Sequence, residues 1–416
     1  MPRAETVAPV SGNERLDSVD VVRGAAILGI LLVNMDLFFF PLYMDYLGVT
    51  WFDDPVNNGV ERALLGFAKG KFYTIFSILF GFGLAIQFER FRAGGLRFSD
   101  FWLRRMLVLL AFGLLHGLLI WFGDILVWYA IGGIALLPFR HAKPRTLKIW
   151  VVVLLIVPLA LTIVLTLMIQ LAGTVPMTAD HLSQGFDEQI QAFEKALAEA
   201  RDRYPQAGVV ETLGLNVRQW FQVVSWLPLL LPNVVGMFVL GLLFARYRLF
   251  HDAVTYLPRI RAALVWLIPL ALATNGACVL LDGRFNPAIP GGLSLLNMIS
   301  MSVGQLAGCL TYIFLLLVAF HSARMRRFIA PLGAVGRMAL TNYLTHSFVF
   351  TTLANGYGAG LYGRVSPFTG LVMTVAVFGI QIVVSNAWLR RFRFGPFEWL
   401  WRSLTYGKLQ RFRVAN

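Results

Sequence analysis

The chain has 416 residues, of which 57% are hydrophobic and only 14% charged, and its formal net charge is +14. A mean hydropathy of +0.68 and a charged fraction well below the roughly 25% of soluble domains exclude a soluble globular enzyme. Basic loops beside a membrane account for the positive charge, since anionic lipids attract them, so we do not expect a nucleic-acid partner.

Ten apolar stretches follow one another along the chain, and a helix needs about 20 such residues to cross the hydrocarbon core. Backbone groups in lipid must be satisfied internally, and the alternating pattern of a membrane β-barrel is absent. The sequence therefore predicts an all-α, polytopic transmembrane helix bundle, with residues 1–416 forming a single integral membrane domain. The expected spans are residues 20–41, 72–89, 104–121, 124–139, 149–171, 227–246, 262–281, 297–320, 338–354 and 368–389.

The loops between these spans alternate between basic and nearly uncharged. The basic ones are residues 90–105, 140–148, 246–261 and 324–337, followed by a basic tail at 390–416. Cytoplasmic loops carry the excess of Lys and Arg in membrane proteins. Both termini and the tail are therefore predicted to be cytoplasmic.

The longest stretch between spans, residues 172–226, is predicted to lie on the opposite, extracytoplasmic side. Within it, Ile190, Phe193, Leu197 and Ala200 recur at helical spacing. This pattern predicts an amphipathic helix lying on the outer membrane face, with a solvated connector helix as an equally compatible interpretation.

The first span begins with Asp20 and Arg23, three residues apart and hence neighbours on a helix surface. One interpretation is an ion pair that anchors the start of the helix. The other is a polar site at the inner mouth of the bundle, where Arg15 and Arg23 meet a phosphate-bearing substrate.

Polar side chains at membrane depth are costly, so each is a candidate functional residue. At a rise of about 1.5 Å per residue, Asn34 and His116 lie about 16 Å beyond the arginines that begin their spans. Asn342 and His346 lie about 7–14 Å beyond Arg337 in the ninth span. If these faces converge, they form one polar cavity; otherwise they are hydrogen-bonded core residues.

Asp124 follows Gly123 at the turn between the third and fourth spans. As a helix cap it would accept backbone N–H groups of the fourth helix. It would alternatively pair with His116 and orient the imidazole, which requires the turn to fold back over two helical turns. Both interpretations stay open. Cys278 and Cys309 lie inside spans and suggest neither a disulfide nor a metal site, so no metal is expected.

Several strings together resemble the YeiB family of bacterial membrane proteins, and the resemblance covers nearly the whole chain. The strings include Arg15-Leu16-Asp17, Val22-Arg23-Gly24, Val33-Asn34-Met35, Lys71-Phe72-Tyr73, Leu115-His116, Gly123-Asp124-Ile125-Leu126, Gly336-Arg337-Met338, Thr341-Asn342-Tyr343 and Gly395-Pro396-Phe397-Glu398-Trp399-Leu400-Trp401-Arg402. The resemblance implies a multi-pass protein of the bacterial cytoplasmic (inner) membrane.

The YeiB family is more distantly similar to transmembrane acyltransferases such as the lysosomal heparan-α-glucosaminide N-acetyltransferase. Those proteins take cytoplasmic acyl-CoA and acylate a sugar on the opposite face. By this resemblance, Asn34 helps to form the acyl-transfer site. The acetyltransferase has a His shortly after that Asn, whereas residues 35–51 contain none here. His116 is therefore the candidate base.

The leading hypothesis is a transmembrane acyltransferase that moves an acyl group from acyl-CoA or acetyl-CoA to a hydroxyl or amine of a sugar or lipid. His116 would act as base with support from Asp124, and Asn34 and Asn342 would stabilise the oxyanion. The residues expected at the CoA phosphates are Arg15, Asp20, Arg23, Arg104 and Arg105.

The main alternative is a transporter or exporter of a small molecule, marked by a discontinuous sixth span at Pro228 and Pro232. A third is a structural or regulatory membrane subunit without chemistry of its own. Candidate partners are membrane lipids, a glycan or lipid acceptor, and a second copy of the chain as a homodimer.

Overall fold

The computed structural model describes residues 16–93, 98–286 and 289–414. In these ranges the chain is built from α-helices with one short 3₁₀ helix, Leu137–His141, and a single isolated bridge between Phe392 and Arg413. The all-α prediction is confirmed.

Seventeen α-helices follow one another within the described ranges. They are α1 (Asp17–Phe39), α2 (Tyr43–Leu47), α3 (Pro55–Phe67), α4 (Lys71–Ala93), α5 (Phe98–Leu119), α6 (Leu126–Ala135), α7 (Pro144–Ala172), α8 (Pro176–Arg203), α9 (Val209–Ser225), α10 (Leu227–Arg246), α11 (Ala253–Leu281), α12 (Gly292–Phe320), α13 (Ala323–Ile329), α14 (Leu332–Arg337), α15 (Ala339–Ala354), α16 (Pro367–Arg391) and α17 (Pro396–Tyr406).

Eight helical segments in the described ranges are long and apolar enough to cross a membrane, which makes the chain a multi-pass membrane protein. They are α1, the α3–α4 segment, α5, α7, α10, α11, α12 and α16. The other two predicted spans are also helical but short, because α6 has 10 residues and α15 has 16. At about 1.5 Å per residue these reach only about 15 and 24 Å, short of the roughly 30 Å hydrocarbon core, although α15 matches the predicted bounds of its span to within one residue.

The stretch between α7 and α10 contains two helices, α8 and α9, where the sequence analysis predicted one. Helix α8 covers the predicted amphipathic segment and is mostly exposed, with an ion pair of 2.6 Å between Arg203 and Glu199. Helix α9 packs on the end of α5, where the Asn216 side chain donates hydrogen bonds to the carbonyls of Gly117 and Leu118 at 3.0 and 3.2 Å. These bonds satisfy carbonyls that the helix end leaves free.

Two glycines bring the backbones of α1 and α14 together where these helices cross. A Cβ atom on Gly24 of α1 would collide with the carbonyl of Leu332 in α14, and one on Gly336 would collide with the carbonyl of Asp20. Such close approach is the usual role of glycine between membrane helices. This crossing places the start of α15 beside α1, next to the cavity described below.

Helix α10 bears on the transporter alternative. It runs unbroken from Leu227 to Arg246, with Pro228 in its first turn and Pro232 inside it. Proline is tolerated in a first turn because that N–H group has no helical partner. The discontinuity expected of a transporter at this span is therefore not found.

Candidate functional site

A cavity of about 270 Å³ lies between α1, α4, α5, α6, α15 and α17. Its charged side chains are those of Asp20, Arg23, Arg105, Arg337, Glu398 and Arg402, and the polar Gln87 also lines it. The other lining residues are mainly apolar and include Ile27, Ile30, Phe76, Phe80, Trp102, Leu109, Leu126 and Tyr129. The cavity is thus amphipathic, with a charged mouth and an apolar interior.

Four arginines face two carboxylates at the mouth, so the local charge is positive. The Arg23 guanidinium bonds the Asp20 carboxylate at 2.7 Å, which confirms the predicted ion pair. The Arg105 guanidinium stacks on Trp401 at 3.7 Å from the ring centroid, and Arg402 lies over Phe394 at 4.6 Å. The planar fork of a guanidinium matches the geometry of carboxylate and phosphate groups, and it can stack on an aromatic ring at the same time.

Glu398 is the second carboxylate at the mouth and is held by α15. Its two oxygens accept hydrogen bonds from the Thr341 backbone N–H at 2.9 Å and the Thr341 hydroxyl at 2.5 Å. Burial raises the pKa of Glu398 above its ordinary value, while the bonds from Thr341 oppose that shift. A protonated Glu398 leaves the mouth more positive than an ionised one.

The cavity-lining residues of α1, α5 and α15 form stripes that continue beyond the cavity. On α5 the stripe runs through Trp102, Arg105 and Leu109, and His116 lies two turns further along. On α15, Tyr343 lines the cavity, and Ser347 lies one turn further on the same face. The stripes therefore lead from the arginines to a buried polar group.

That buried polar group is a chain of three side chains, and all three are almost inaccessible. His116, Asp124 and Ser347 are exposed by 1%, 4% and 0%. The imidazole Nδ1 lies 2.8 Å from Asp124 Oδ1, and Nε2 lies 2.8 Å from Ser347 Oγ. Asp124 Oδ2 also accepts the Val127 backbone N–H at 2.7 Å, near the start of α6. Both interpretations of Asp124 are thus correct at once.

The hydrogen-bond directions follow from the chemistry of the groups. An ionised carboxylate only accepts hydrogen bonds, so His116 Nδ1 carries a proton and donates it to Asp124. In a neutral imidazole, Nε2 is then the acceptor, and the Ser347 hydroxyl donates to it. A base oriented by a carboxylate and bonded to a hydroxyl is the arrangement of an activated nucleophile.

Tyr343 separates this chain from the cavity. Its ring is 5.1 Å from the His116 ring, and it lines the deep end of the cavity. The Tyr343 hydroxyl donates to the Gly123 carbonyl at 3.3 Å and accepts the Ile125 N–H at 3.4 Å. One aromatic side chain therefore stands between the apolar interior and the buried imidazole.

The sequence analysis allowed one polar cavity lined by Asn34, His116, Asn342 and His346. That expectation is wrong for Asn342 and His346. Asn342 and His346 lie on the other face of α15, where Asn342 Nδ2 donates to Ser385 Oγ at 3.1 Å. His346 Nε2 is 2.6 Å from Gln381 Oε1 of α16. One face of α15 therefore points towards α16, and another face points towards α5 and α6. Asn342 does not contact His116, because its amide is hydrogen-bonded to Ser385 of α16.

The remaining predicted residues divide into two groups. Arg23, Asp20 and Arg105 line the mouth, and Asn34 continues the α1 stripe of Ile27 and Ile30 one turn deeper and is half-buried.

Arg104 does not reach the cavity, because it points to the exposed side of α5 beside Gly407. Arg15 lies outside the described residues.

Sequence reasoning missed five contributors to this region: Arg337, Tyr343, Ser347, Glu398 and Arg402. Arg337 and Arg402 stand in the strings that carry the YeiB resemblance, and their charge next to predicted spans was a usable signal. Ser347 gave no such signal, because serine is common in membrane helices and usually bonds its own backbone.

The chain is similar in sequence to known proteins over nearly its whole length. YxaH, an uncharacterized protein of Bacillus subtilis (strain 168), is 36% identical over 410 residues, which cover 96% of each chain. YeiB, an uncharacterized protein of Escherichia coli (strain K12), is 28% identical over 399 residues, covering 94% of this chain and 96% of its own. The family model described as "Protein of unknown function (DUF418)" matches residues 244–408.

The chain belongs to the DUF418 family, which includes YeiB. The predicted resemblance is confirmed. The region matched by the DUF418 model contains Arg337, Tyr343, Ser347 and Arg402, whereas His116 and Asp124 precede it. No solved structure matches the chain.

Proposed function

We propose that this DUF418 protein is a transmembrane acyltransferase that transfers an acyl group from acyl-CoA to a hydroxyl or amine of a sugar or lipid. The basic end of the bundle would face the cytoplasm, and the protein would reside in the bacterial inner membrane. One observation carries the proposal: an amphipathic cavity with four arginines at its mouth ends at Tyr343, whose ring lies 5.1 Å from a buried imidazole oriented by a carboxylate.

The cavity suits the two halves of an acyl-CoA molecule. Arginine binds phosphate through paired, charge-assisted hydrogen bonds, and Arg23, Arg105, Arg337 and Arg402 stand at the mouth. The apolar interior offers a path for the pantetheine arm and the acyl chain towards Tyr343. An acyl thioester bound in this way would approach the imidazole from the cytoplasmic side.

His116 would supply general base catalysis. Asp124 holds the ring with Nδ1 protonated, so Nε2 is left to take a proton from an attacking hydroxyl or amine. Asn34 stays the predicted donor to the developing oxyanion, since its amide lies on the cavity stripe of α1 and is half-buried. Asn342 no longer fills that role, because its amide bonds Val335 and Ser385.

The test uses purified protein in nanodiscs with acetyl-CoA and a long-chain acyl-CoA. Binding is measured by calorimetry and turnover by release of free CoA thiol. His116→Ala should bind acyl-CoA normally but lose turnover by at least about 100-fold, the lower range for general base catalysis. His321→Ala, at an exposed residue after α12, is the matched control and should behave as wild type.

The phosphate contacts are tested with a second pair of variants. Arg337→Gln should raise the acyl-CoA dissociation constant about 10- to 100-fold, because a hydrogen bond to a charged group is worth about 1.5–3 kcal/mol. Arg104→Gln removes the same charge outside the cavity and should leave affinity unchanged. If wild-type protein fails to bind acyl-CoA at millimolar concentration, the acyltransferase proposal is wrong and the transporter alternative becomes the working hypothesis.

A further inference from the structure

Ser347 differs from several other buried hydroxyl residues of the described spans in the partner of its side chain. Ser77, Thr311 and Thr351 each donate to the carbonyl four residues earlier in their own helix, at 2.7 or 2.8 Å. This is how hydroxyl side chains in membrane helices usually satisfy their hydrogen bond. In the described part of the chain, Ser347 Oγ instead bonds His116 Nε2, on a different helix.

The geometry around Ser347 is that of a nucleophile, a base and an orienting acid. Oγ and Nε2 are 2.8 Å apart, and Nδ1 and Asp124 Oδ1 are 2.8 Å apart. Asp124 is itself fixed by the Val127 N–H. This constellation recurs on unrelated folds and is recognised by geometry and role. A buried serine needed only for packing requires neither the carboxylate nor its backbone anchor.

We propose that Ser347 carries the acyl group as a covalent ester between acyl-CoA and the acceptor. This inference rests on the proposed acyltransferase function and adds a nucleophile to it. Two half-reactions would then share one base, and the acyl-CoA and the acceptor would not need to occupy the site together.

In the first half-reaction, Ser347 Oγ attacks the thioester carbonyl of acyl-CoA while His116 Nε2 takes the hydroxyl proton. The carbon–sulfur bond breaks, and the proton passes to the departing sulfur, which leaves as free CoA thiol. In the second, His116 takes a proton from the acceptor hydroxyl or amine as it attacks the Ser347 ester. The carbon–Oγ bond breaks, and the proton returns to Oγ.

Tyr343 must move aside for the thioester to reach Ser347. Its hydroxyl contacts of 3.3 and 3.4 Å are longer than the usual hydrogen bonds of a hydroxyl group, so these hydrogen bonds oppose the movement only weakly. Ser347 lies one turn along the same face of α15. Displacement of this single ring would therefore join the cavity to the buried chain.

The experiment traps the ester. Purified protein in nanodiscs is incubated with radiolabelled acetyl-CoA without acceptor, quenched in acid and digested for peptide mapping. We expect one labelled peptide containing Ser347, and background label in Ser347→Ala and His116→Ala. Ser385→Ala is the matched control, since Ser385 is also fully buried but bonds Asn342 and no imidazole; its label should equal wild type.

Ser347→Cys gives a readout that a packing role would not produce. If residue 347 carries the acyl group, the linkage becomes a thioester and is released by neutral hydroxylamine, whereas the wild-type oxygen ester is resistant. This variant is nearly isosteric, so it covers the case in which Ser347→Ala does not fold. A fluorophosphonate probe, which reacts with base-activated serines irrespective of the acyl donor, should label Ser347 in wild type.

The possible results separate the two proposals. Turnover of acyl-CoA without label, together with normal turnover in Ser347→Ala, would overturn the acyl-serine and leave the acyltransferase intact. Fluorophosphonate labelling of Ser347 without acyl-CoA binding would reject acyl-CoA as donor and retain the nucleophile. If both the label and the probe reaction are absent from wild type, Ser347 is not a nucleophile.

Discussion

Asp124 combines two functions in one carboxylate. One oxygen accepts the Val127 N–H near the start of α6, and the other accepts from His116 on α5. A group that caps one helix while it holds a side chain on another fixes the angle between the two. The imidazole is therefore oriented by the same contact that begins α6. In the proposed chemistry, Asp124 is a positioning residue.

Asp124→Asn tests this positioning role. The amide replaces one of the two acceptor oxygens with an NH2 donor, so the His116 and Val127 N–H groups no longer both meet an acceptor at their present positions. We expect kcat for acyl transfer to fall at least about 100-fold while the acyl-CoA dissociation constant is unchanged. Asp252→Asn, which removes an exposed carboxylate paired with Arg248 at 2.9 Å, is the control. Parallel losses of binding and turnover would indicate that Asp124 is needed only for the fold.

Glu398 predicts a pH dependence of anion binding at the mouth. Because burial raises the pKa of Glu398, its carboxyl is protonated to a higher pH than an exposed glutamate. As pH rises through this pKa, a negative charge appears among the arginines, so acyl-CoA affinity should fall. Glu398→Gln keeps a neutral side chain, and the fall in affinity should disappear. Calorimetric titrations of acyl-CoA across pH 4–8 measure this affinity. If the affinity of Glu398→Gln falls with pH as that of the wild type does, the dependence belongs to another group.

At the scale of the helices, Gly113 sets how closely α5 approaches α6. A Cβ atom at this position would lie 2.6 Å from the Val127 nitrogen and 3.0 Å from Asp124 Oδ2. Both atoms belong to the contact that anchors the His116 chain, so the spacing of two helices and the orientation of the site depend on one missing side chain.

Gly113→Ala should therefore destabilise the protein, by about 1–3 kcal/mol as for other overpacked cores. It should also reduce turnover, because the added methyl group displaces Asp124 or Val127. Gly379→Ala is the control, since Gly379 lies within α16 with open space around it and gains the same helix propensity. Thermal unfolding in detergent and CoA release report the two effects. Equal midpoints for the two variants would contradict the close approach.

The helices themselves could be predicted from hydropathy, but their rotations could not. Apolar periodicity located α15 and gave the depth of Asn342 and His346, yet it did not show that they face α16. In a membrane both faces of a helix are apolar, so the sequence lacks the polar side that marks orientation in soluble proteins. The sequence predicted the contact between His116 and Asp124 as one of two interpretations. It did not predict the role of Ser347, because only the contact with His116 on α5 distinguishes this serine from others.

The fourth span was overestimated for a related reason, since it was predicted at residues 124–139 and α6 covers only Leu126–Ala135. Hydropathy counts apolar residues and does not detect where a helix stops inside the membrane region. The segment between α5 and α6 leaves the helical conformation at residues 121–125, so α6 begins late and is short. Helix α9 closes this end through Asn216, a tertiary contact between residues far apart in sequence. Such long-range caps leave no local sequence signal.

At the scale of the whole molecule, the mouth of the cavity, α17 and the tail all lie at the basic end of the bundle. Trp401 donates to the Arg105 carbonyl at 3.1 Å and Trp399 donates to the Gln410 carbonyl at 2.8 Å, which ties the tail to the helices. If this end is cytoplasmic, as the loop charges predict, the arginines face the compartment that contains acyl-CoA. Orientation is therefore the property on which the direction of transfer depends.

Cysteine labelling tests that orientation with little background, because both native cysteines, Cys278 and Cys309, are buried. Leu409→Cys places a thiol at a side chain that is 81% exposed in the tail, and Asp187→Cys places one on exposed α8. A membrane-impermeant maleimide added to intact spheroplasts should label Asp187→Cys at once and Leu409→Cys only after the membrane is permeabilised, since a charged reagent does not cross lipid. The unsubstituted protein controls for the native thiols. The reverse pattern would place the arginine mouth outside, where a cytoplasmic acyl-CoA cannot reach it, and would contradict the proposed direction of transfer.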